Sequence, residues 1–146
     1  WDMSTIYEVF LTRAEPASIG LSSIGARLQP LSLSDEGGLH YCLVDEAGQG
    51  PDAMARWPAG NGAVDVIAPI APGVVPQVAI TRWRRLNTGE RVPVARRHCT
   101  VALDGERAFS VTPDQQLEVA VTRNGPPVVL VEAALREAAV RGLFRV

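Results

Sequence analysis

The sequence predicts a mainly β domain: a two-layer antiparallel β-sandwich-like arrangement with one C-terminal α-helix. Three observations predict it. Apolar residues recur with a period of two in short runs, which is the pattern of strands. The runs are punctuated by 13 glycines and 11 prolines, residues that end long helices and mark turns. Only the last stretch combines a helical period with an alanine-rich composition.

The elements follow in order. Residues 5–13, TIYEVFLTR, alternate Ile6, Glu8 and Phe10 against Tyr7, Val9 and Leu11. The β-branched and aromatic content predicts a strand covered on both faces. Glu8 then sits among apolar neighbours, an unusual place for a carboxylate. Residues 17–28, ASIGLSSIGARL, are small, glycine-rich and weakly alternating, which predicts one or two strands bent near Gly20 or Gly25. GLHYCLV at 38–44 is another strand. The Gly-, Pro- and Asp-rich segment 45–62 lacks alternation and is expected to be a mobile loop. AVDVIAPI at 63–70 returns to strand, and Ala71-Pro72-Gly73 turns it. VVPQVAITRWRRL at 74–86 is a strand, regular over 77–86, with Pro76 marking an edge or a bulge. Asn87 to Glu90 carries turn chemistry, and RVPVARR at 91–97 holds a short strand. Residues 99–104, 107–112 and 117–123 form a meander of hairpins, separated at Asp104-Gly105 and at Thr112-Pro113-Asp114. In 131–141, Val131, Leu135 and Ala138 share a helical face, with Gly142 just past the end.

Composition bounds the function. A chain of 146 residues suits a single domain that folds without disulfides or a structural metal. Net charge is −2, and all 14 basic residues are arginine, which argues against nucleic acid as a partner. No run of 18 apolar residues exists, so no membrane helix is expected. Cys42 and Cys99 do not make a disulfide framework, and a reducing cytoplasm is the simplest compartment. The start at Trp1 is expected to reflect a piece of a longer protein or a processed product.

Several constellations could carry chemistry. His40 and Cys42 share a strand face, whereas His98 and Cys99 point to opposite sides. The four cannot converge on one zinc ion, and no metal site is expected. In RWRRL, arginines flanking a tryptophan could bind phosphate or stack on a base; the simpler expectation is a solvated face for Arg82 and Arg84, with Trp83 and Arg85 on the other and Trp83 packed inward. There is no nucleophile elbow, and neither common glycine-rich phosphate loop is present. Asp104-Gly105 between alternating runs is a hairpin signal. Periodicity leaves open whether Asp104 or Glu106 also binds a ligand. Glu8 needs either a ligand or a structural partner, for which Arg107 and Arg123 are the candidates.

Three stretches in order resemble a known superfamily. TIYEV at 5–9 is similar to the Asn-Glu segment of NAD kinases. VIAPIAPGVV at 66–75 resembles their Pro-Ile turn. TVALDGERAFSV at 100–111 resembles the Asp-Gly-Glu/Gln hairpin shared by NAD kinases and diacylglycerol/sphingosine-type lipid kinases. ASIGLSSIGARLQP and the tail VAVTRNGPPVVLVEAALREAAVRGLF look more specifically like the AcoX (acetoin catabolism protein X) group of ATP-NAD kinase-like proteins.

This resemblance implies that residues 1–146 are one β-rich domain, the C-terminal part of a two-domain kinase-like protein. The missing N-terminal domain would carry the Gly-Gly-Asp-Gly motif that holds ATP. The implied activity of the full-length protein is ATP-dependent phosphoryl transfer to NAD or a related nucleotide, with ATP and Mg²⁺ as cofactors. The isolated chain requires no cofactor and is expected to be inactive, and no catalytic residue is assigned. Glu8 would match the glutamate that contacts a nucleotide ribose, and Asp104 and Glu106 would face the phosphates. A homo-oligomer is an open partner state. Tyr7 stands where NAD kinases have Asn, and their Thr-Pro-Thr-Gly-Ser-Thr-Ala-Tyr motif is missing. That departure favours a rival reading, a non-catalytic interaction or sensor domain that keeps the kinase fold. A lipid-kinase-like acceptor domain is the other alternative.

Overall fold

The computed structural model describes residues 6–43, 61–94 and 98–145. The described residues form a mainly β structure of eight strands and two helices. A four-stranded antiparallel sheet is built from β1 (Glu8–Leu11), β2 (Gly38–Leu43), β3 (Val64–Ile67) and β4 (Gln77–Leu86), in the order β1-β2-β4-β3. Two further pairs are antiparallel: β5 (Arg91–Pro93) with β8 (Glu118–Ala120), and β6 (Cys99–Leu103) with β7 (Arg107–Val111). The helices are α1 (Leu21–Leu28) and α2 (Val131–Val140). Most of the expected 45–62 loop, and residues 95–97 of the expected 91–97 strand, lie outside the described residues. Asn61, at the end of that loop, makes a bridge to Trp83.

α1 corrects the expectation of strands over 17–28. Leu21, Ile24 and Leu28 recur at helical spacing, and Ile24 and Ala26 are buried in the main core. Glycine and serine hide this period because their helix propensity is low. Packing supplies what propensity lacks. A Cβ on Gly25 would stand 2.5 Å from Leu11 Cδ1 and 3.1 Å from Leu39 Cδ2, so the missing side chain lets α1 lie directly on the sheet. Tyr41, fully buried, donates its hydroxyl to the Leu21 carbonyl at 2.9 Å.

The main core lies between α1 and one face of the four-stranded sheet: Val9, Leu39, Tyr41, Leu43 and Ile80, with Val78 and Trp83 beside them. On the opposite face Phe10 and Leu86 meet Val92 and Val121, so β5 and the end of β8 cover that side.

A bulge in β4 makes this division possible. β2 and β4 pair from Gly38↔Leu86 to Cys42↔Arg82, and the next pair is Leu43↔Ile80. Thr81 is the extra residue, and its hydroxyl donates to the Cys42 carbonyl at 3.1 Å. In an unbroken strand Val78, Ile80, Arg82 and Arg84 would share one face. The bulge reverses the alternation, sending Val78, Ile80 and Trp83 to the core and Arg82, Arg84 and Leu86 to the other side.

Candidate functional site

The non-core face of the sheet carries a polar row that β1, β2 and β4 assemble. The register Glu8↔Cys42 and Phe10↔His40 sets β1 against β2. The register Cys42↔Arg82 and His40↔Arg84 sets β2 against β4. Because every second residue of a strand faces the same side, Glu8, His40, Cys42, Arg82 and Arg84 become neighbours. Glu90, from the turn after β4, closes the row by pairing with Arg84 and accepting the Asn87 backbone N–H at 3.0 Å.

This face is largely enclosed. The side chains of His40 and Glu8 are 1% and 12% exposed, and His40 Nε2 stands 3.6 Å from Glu8 Oε2. That separation is an electrostatic contact rather than a hydrogen bond. Glu8 Oε2 is buried, with no hydrogen-bond partner among the described residues. The His40 ring stacks on Phe10, centroids 4.0 Å apart and planes 15° from parallel.

Burial dominates the electrostatics. It holds the His40 pKa below its usual value, helped by the Arg84 and Arg82 charges and opposed by Glu8. It pushes the Cys42 thiol up to about 11, against the pull of the Arg82 guanidinium. Glu90 is held below the ordinary carboxylate range by the Asn87 N–H and by Arg84.

These shifts give a stability prediction. A histidine kept neutral by burial has a lower pKa folded than unfolded. Its contribution is complete above the unfolded value of about 6.5. It is lost as pH falls below that value, because the unfolded chain then takes up a proton that the folded chain refuses. The urea midpoint is expected to drop between pH 7 and pH 5.5, and His40→Gln should flatten that slope. Carboxylates with depressed pKa, Glu90 among them, act at lower pH and do not explain a loss in this window. A wild-type midpoint constant from pH 7 to 5.5 would contradict a neutral, buried His40.

Glu8, His40 and Cys42 each place a ligand-type atom within 4.8 Å of the other two. Two guanidiniums on the same face oppose a divalent cation there, and metal binding requires the thiolate that burial disfavours. The arrangement is better suited to orienting a neutral or anionic group.

Of the three residues expected to face the nucleotide, Glu8, Asp104 and Glu106, only Glu8 joins this row. Asp104 and Glu106 occupy the tip of the β6–β7 hairpin, where Asp104 and Gly105 both take left-handed backbone, φ 52° and 74°. The Glu106 N–H closes the turn on the Leu103 carbonyl at 3.2 Å. Both carboxylates are exposed, and Asp104 lies 3.6 Å from Arg107. Arg123 pairs with Glu36, so neither arginine expected to hold Glu8 does so. The expected solvated face for Arg82 and Arg84 is also corrected: both are partly buried, while Trp83 packs toward the core as expected. The cysteines are unpaired, Cys42 buried and Cys99 partly so.

A cavity of about 300 Å³ opens between Tyr7 and the base of the β6–β7 hairpin, lined by His98, Cys99, Thr100 and Ser110. His98 there holds φ 67°, a left-handed conformation that is uncommon outside glycine and concentrates at functional sites. Sequence reasoning paired His98 with Cys99 but had no signal for Tyr7 beside them. Asp104 at the hairpin tip is four positions along the chain from Thr100 in the cavity lining, about 13 Å of extended chain.

The family model described as the acetoin catabolism protein X C-terminal domain matches residues 1–124. Acetoin catabolism protein X of Cupriavidus necator is 34% identical over 145 residues, covering 99% of this chain and 37% of that protein. The chain therefore spans well under half the length of this curated relative. No solved structure matches, and no helix among the described residues is long and apolar enough to cross a membrane. With 124 of its 146 residues matched by one family model, the chain belongs to the acetoin catabolism protein X C-terminal domain family.

Proposed function

We propose that this chain is the nucleotide-side C-terminal domain of a longer, cytoplasmic, two-domain protein that transfers a phosphoryl group from ATP to NAD or a related nucleotide. The observation that carries the reading is Glu8. A carboxylate oxygen enclosed in the sheet without a hydrogen-bond partner is costly. A ribose hydroxyl donated to it would remove that cost, once the side chains enclosing Glu8 part to admit it. The cavity beside Tyr7 is separate from Glu8 and offers hydroxyl and imidazole groups to another part of the ligand.

ATP is held by the missing N-terminal domain in this reading. Asp104 and Glu106 suit Mg²⁺, a hard cation that takes one or two carboxylates together with substrate phosphates. Their exposure at the hairpin tip leaves oxygens available for that role. Bound there, Mg²⁺ would supply charge neutralisation on the phosphates. The Glu8, His40 and Cys42 set, buried beside two arginines, does not suit it.

A second reading has its own support. Leu103 and Phe109, beside the Asp104 turn, are exposed apolar side chains, as an acceptor site of lipid-kinase type would require. A domain that keeps the fold without the reaction is the third.

The test uses the full-length protein. Glu8→Gln is expected to weaken nucleotide binding by roughly 10- to 100-fold, the loss of one hydrogen bond to a charged group. The thermal midpoint should move little. ATP-dependent phosphorylation of NAD, and not of a diacylglycerol vesicle, is the expected activity. Phosphorylation of lipid alone would favour the second reading. Loss of stability without a binding defect, and no phosphorylation of either acceptor, would leave Glu8 structural and favour the third.

A further inference from the structure

We propose that α2 and the apolar segment leading into it are a docking element, whose occupant is the portion of the full-length protein preceding this domain. This rests on the longer chain and is independent of which reaction that chain performs.

α2 is well formed but unpacked. It has no buried residue. Val129, Val131, Leu135, Val140, Leu143 and Phe144 are between 54% and 77% exposed. Large apolar side chains clustered at one end of a chain mark an interaction surface, whereas single exposed ones do not. The helix is nevertheless specified in detail. Gly142 takes φ 72°, the Leu143 N–H donates to the Ala138 carbonyl at 3.0 Å, and the Gly142 N–H donates to that of Ala139 at 3.1 Å. That pair is a Schellman stop. Arg141 Nε reaches Glu137 at 2.7 Å, one turn apart. A helix of ten residues is marginal in water by itself, since isolated helices need roughly 12–15 residues. So specific a helix without a core of its own requires one elsewhere.

The position in the chain indicates where. Val121 is the last buried residue of the β structure. Gly125-Pro126-Pro127 follows, a stiff spacer that cannot continue a sheet. The family model ends at residue 124, at the foot of that spacer, whereas the similarity to the C. necator protein runs over 145 residues. The segment thus lies past the β core that the family model covers, yet within the stretch aligned to the longer relative, most of which lies outside that alignment.

Charge and size narrow the occupant further. Glu132, Arg136, Glu137 and Arg141 balance one another, unlike the basic face of a helix that lies on membranes. A helix about 15 Å long and 10 Å wide offers far less than the roughly 800 Å² per partner of a stable complex. A small patch suffices when its partner is on the same chain, where effective concentrations reach the millimolar range.

Hydrogen exchange on the full-length protein tests this. Amides of 131–143 should exchange at least ten-fold more slowly than those of the 104–106 turn, equally at two protein concentrations ten-fold apart. Leu135→Asp with Leu143→Asp should restore fast exchange there while 38–43 stays protected. Exchange in wild type as fast as the turn would overturn the proposal. So would protection that fades on dilution, which assigns the surface to a second copy. Protection that survives the double substitution, or that appears only with anionic vesicles, would also overturn it. The wild-type comparison decides the matter even if the double variant fails to fold.

Discussion

Deleting Thr81 is expected to abolish folding, although Thr81 is only partly buried. The residue is the bulge of β4. Without it, Val78 and Ile80 cannot reach the core while Arg82 and Arg84 stay beside His40 and Cys42. One half of the strand must turn over. If the first half turns, Ile80, now 1% exposed, and Val78 leave the core, at about 1.5–3 kcal/mol per fully buried side chain. If the second half turns, two arginines enter an apolar core, at several kcal/mol per ion. Either loss is comparable with the whole stability of an ordinary domain, about 5–15 kcal/mol. Thr81→Ala keeps the register and removes only the hydroxyl's bond to Cys42, so it should cost about 1 kcal/mol. Urea titrations followed by circular dichroism separate the two. A deletion variant within about 2 kcal/mol of wild type would mean that the bulge is dispensable.

Gly37→Ala should be the most damaging of the single glycine substitutions, at about 3 kcal/mol or more. Two costs add there. Gly37 holds φ 84°, and an added Cβ would lie 2.1 Å from the Leu86 carbonyl oxygen. That oxygen belongs to the backbone at the end of β4, so no side-chain rotation relieves the clash. Left-handed backbone costs a non-glycine residue about 1–3 kcal/mol by itself. Gly73→Ala isolates that part, because Gly73 has φ 75° with nothing within 4 Å of the added carbon. Gly37→Ala should lower the urea midpoint much more than Gly73→Ala. Equal effects would show that the end of β4 yields to the intruding methyl.

The strands flanked by clear punctuation were legible in the sequence. The 99–104 and 107–112 readings correspond to β6 and β7, joined at Asp104-Gly105 as the hairpin chemistry requires. The 77–86 reading matches β4 in both limits. α2 was legible because alanine, the 3.6-residue period and Gly142 agree. α1 was not, because Gly20, Ser22, Ser23 and Gly25 weaken the local helical signal. What makes 21–28 helical is the flat apolar face of the sheet, onto which a helix with a glycine at the contact point fits.

For the candidate site, the sequence by itself determined that Glu8 lies in a strand otherwise built for burial and that His40 and Cys42 share a face. It also determined that the Asp104 turn is a hairpin. Tertiary structure alone decided that Glu8 meets His40 and Cys42 rather than Arg107 or Arg123, and that Arg82 and Arg84 are enclosed beside them. Strand periodicity fixes which residues of one strand share a side. It carries no information about which strand lies alongside, in what register, or where a bulge reverses the alternation. Those are set by long-range pairing and by which face α1 covers, and only the folded chain brings them together.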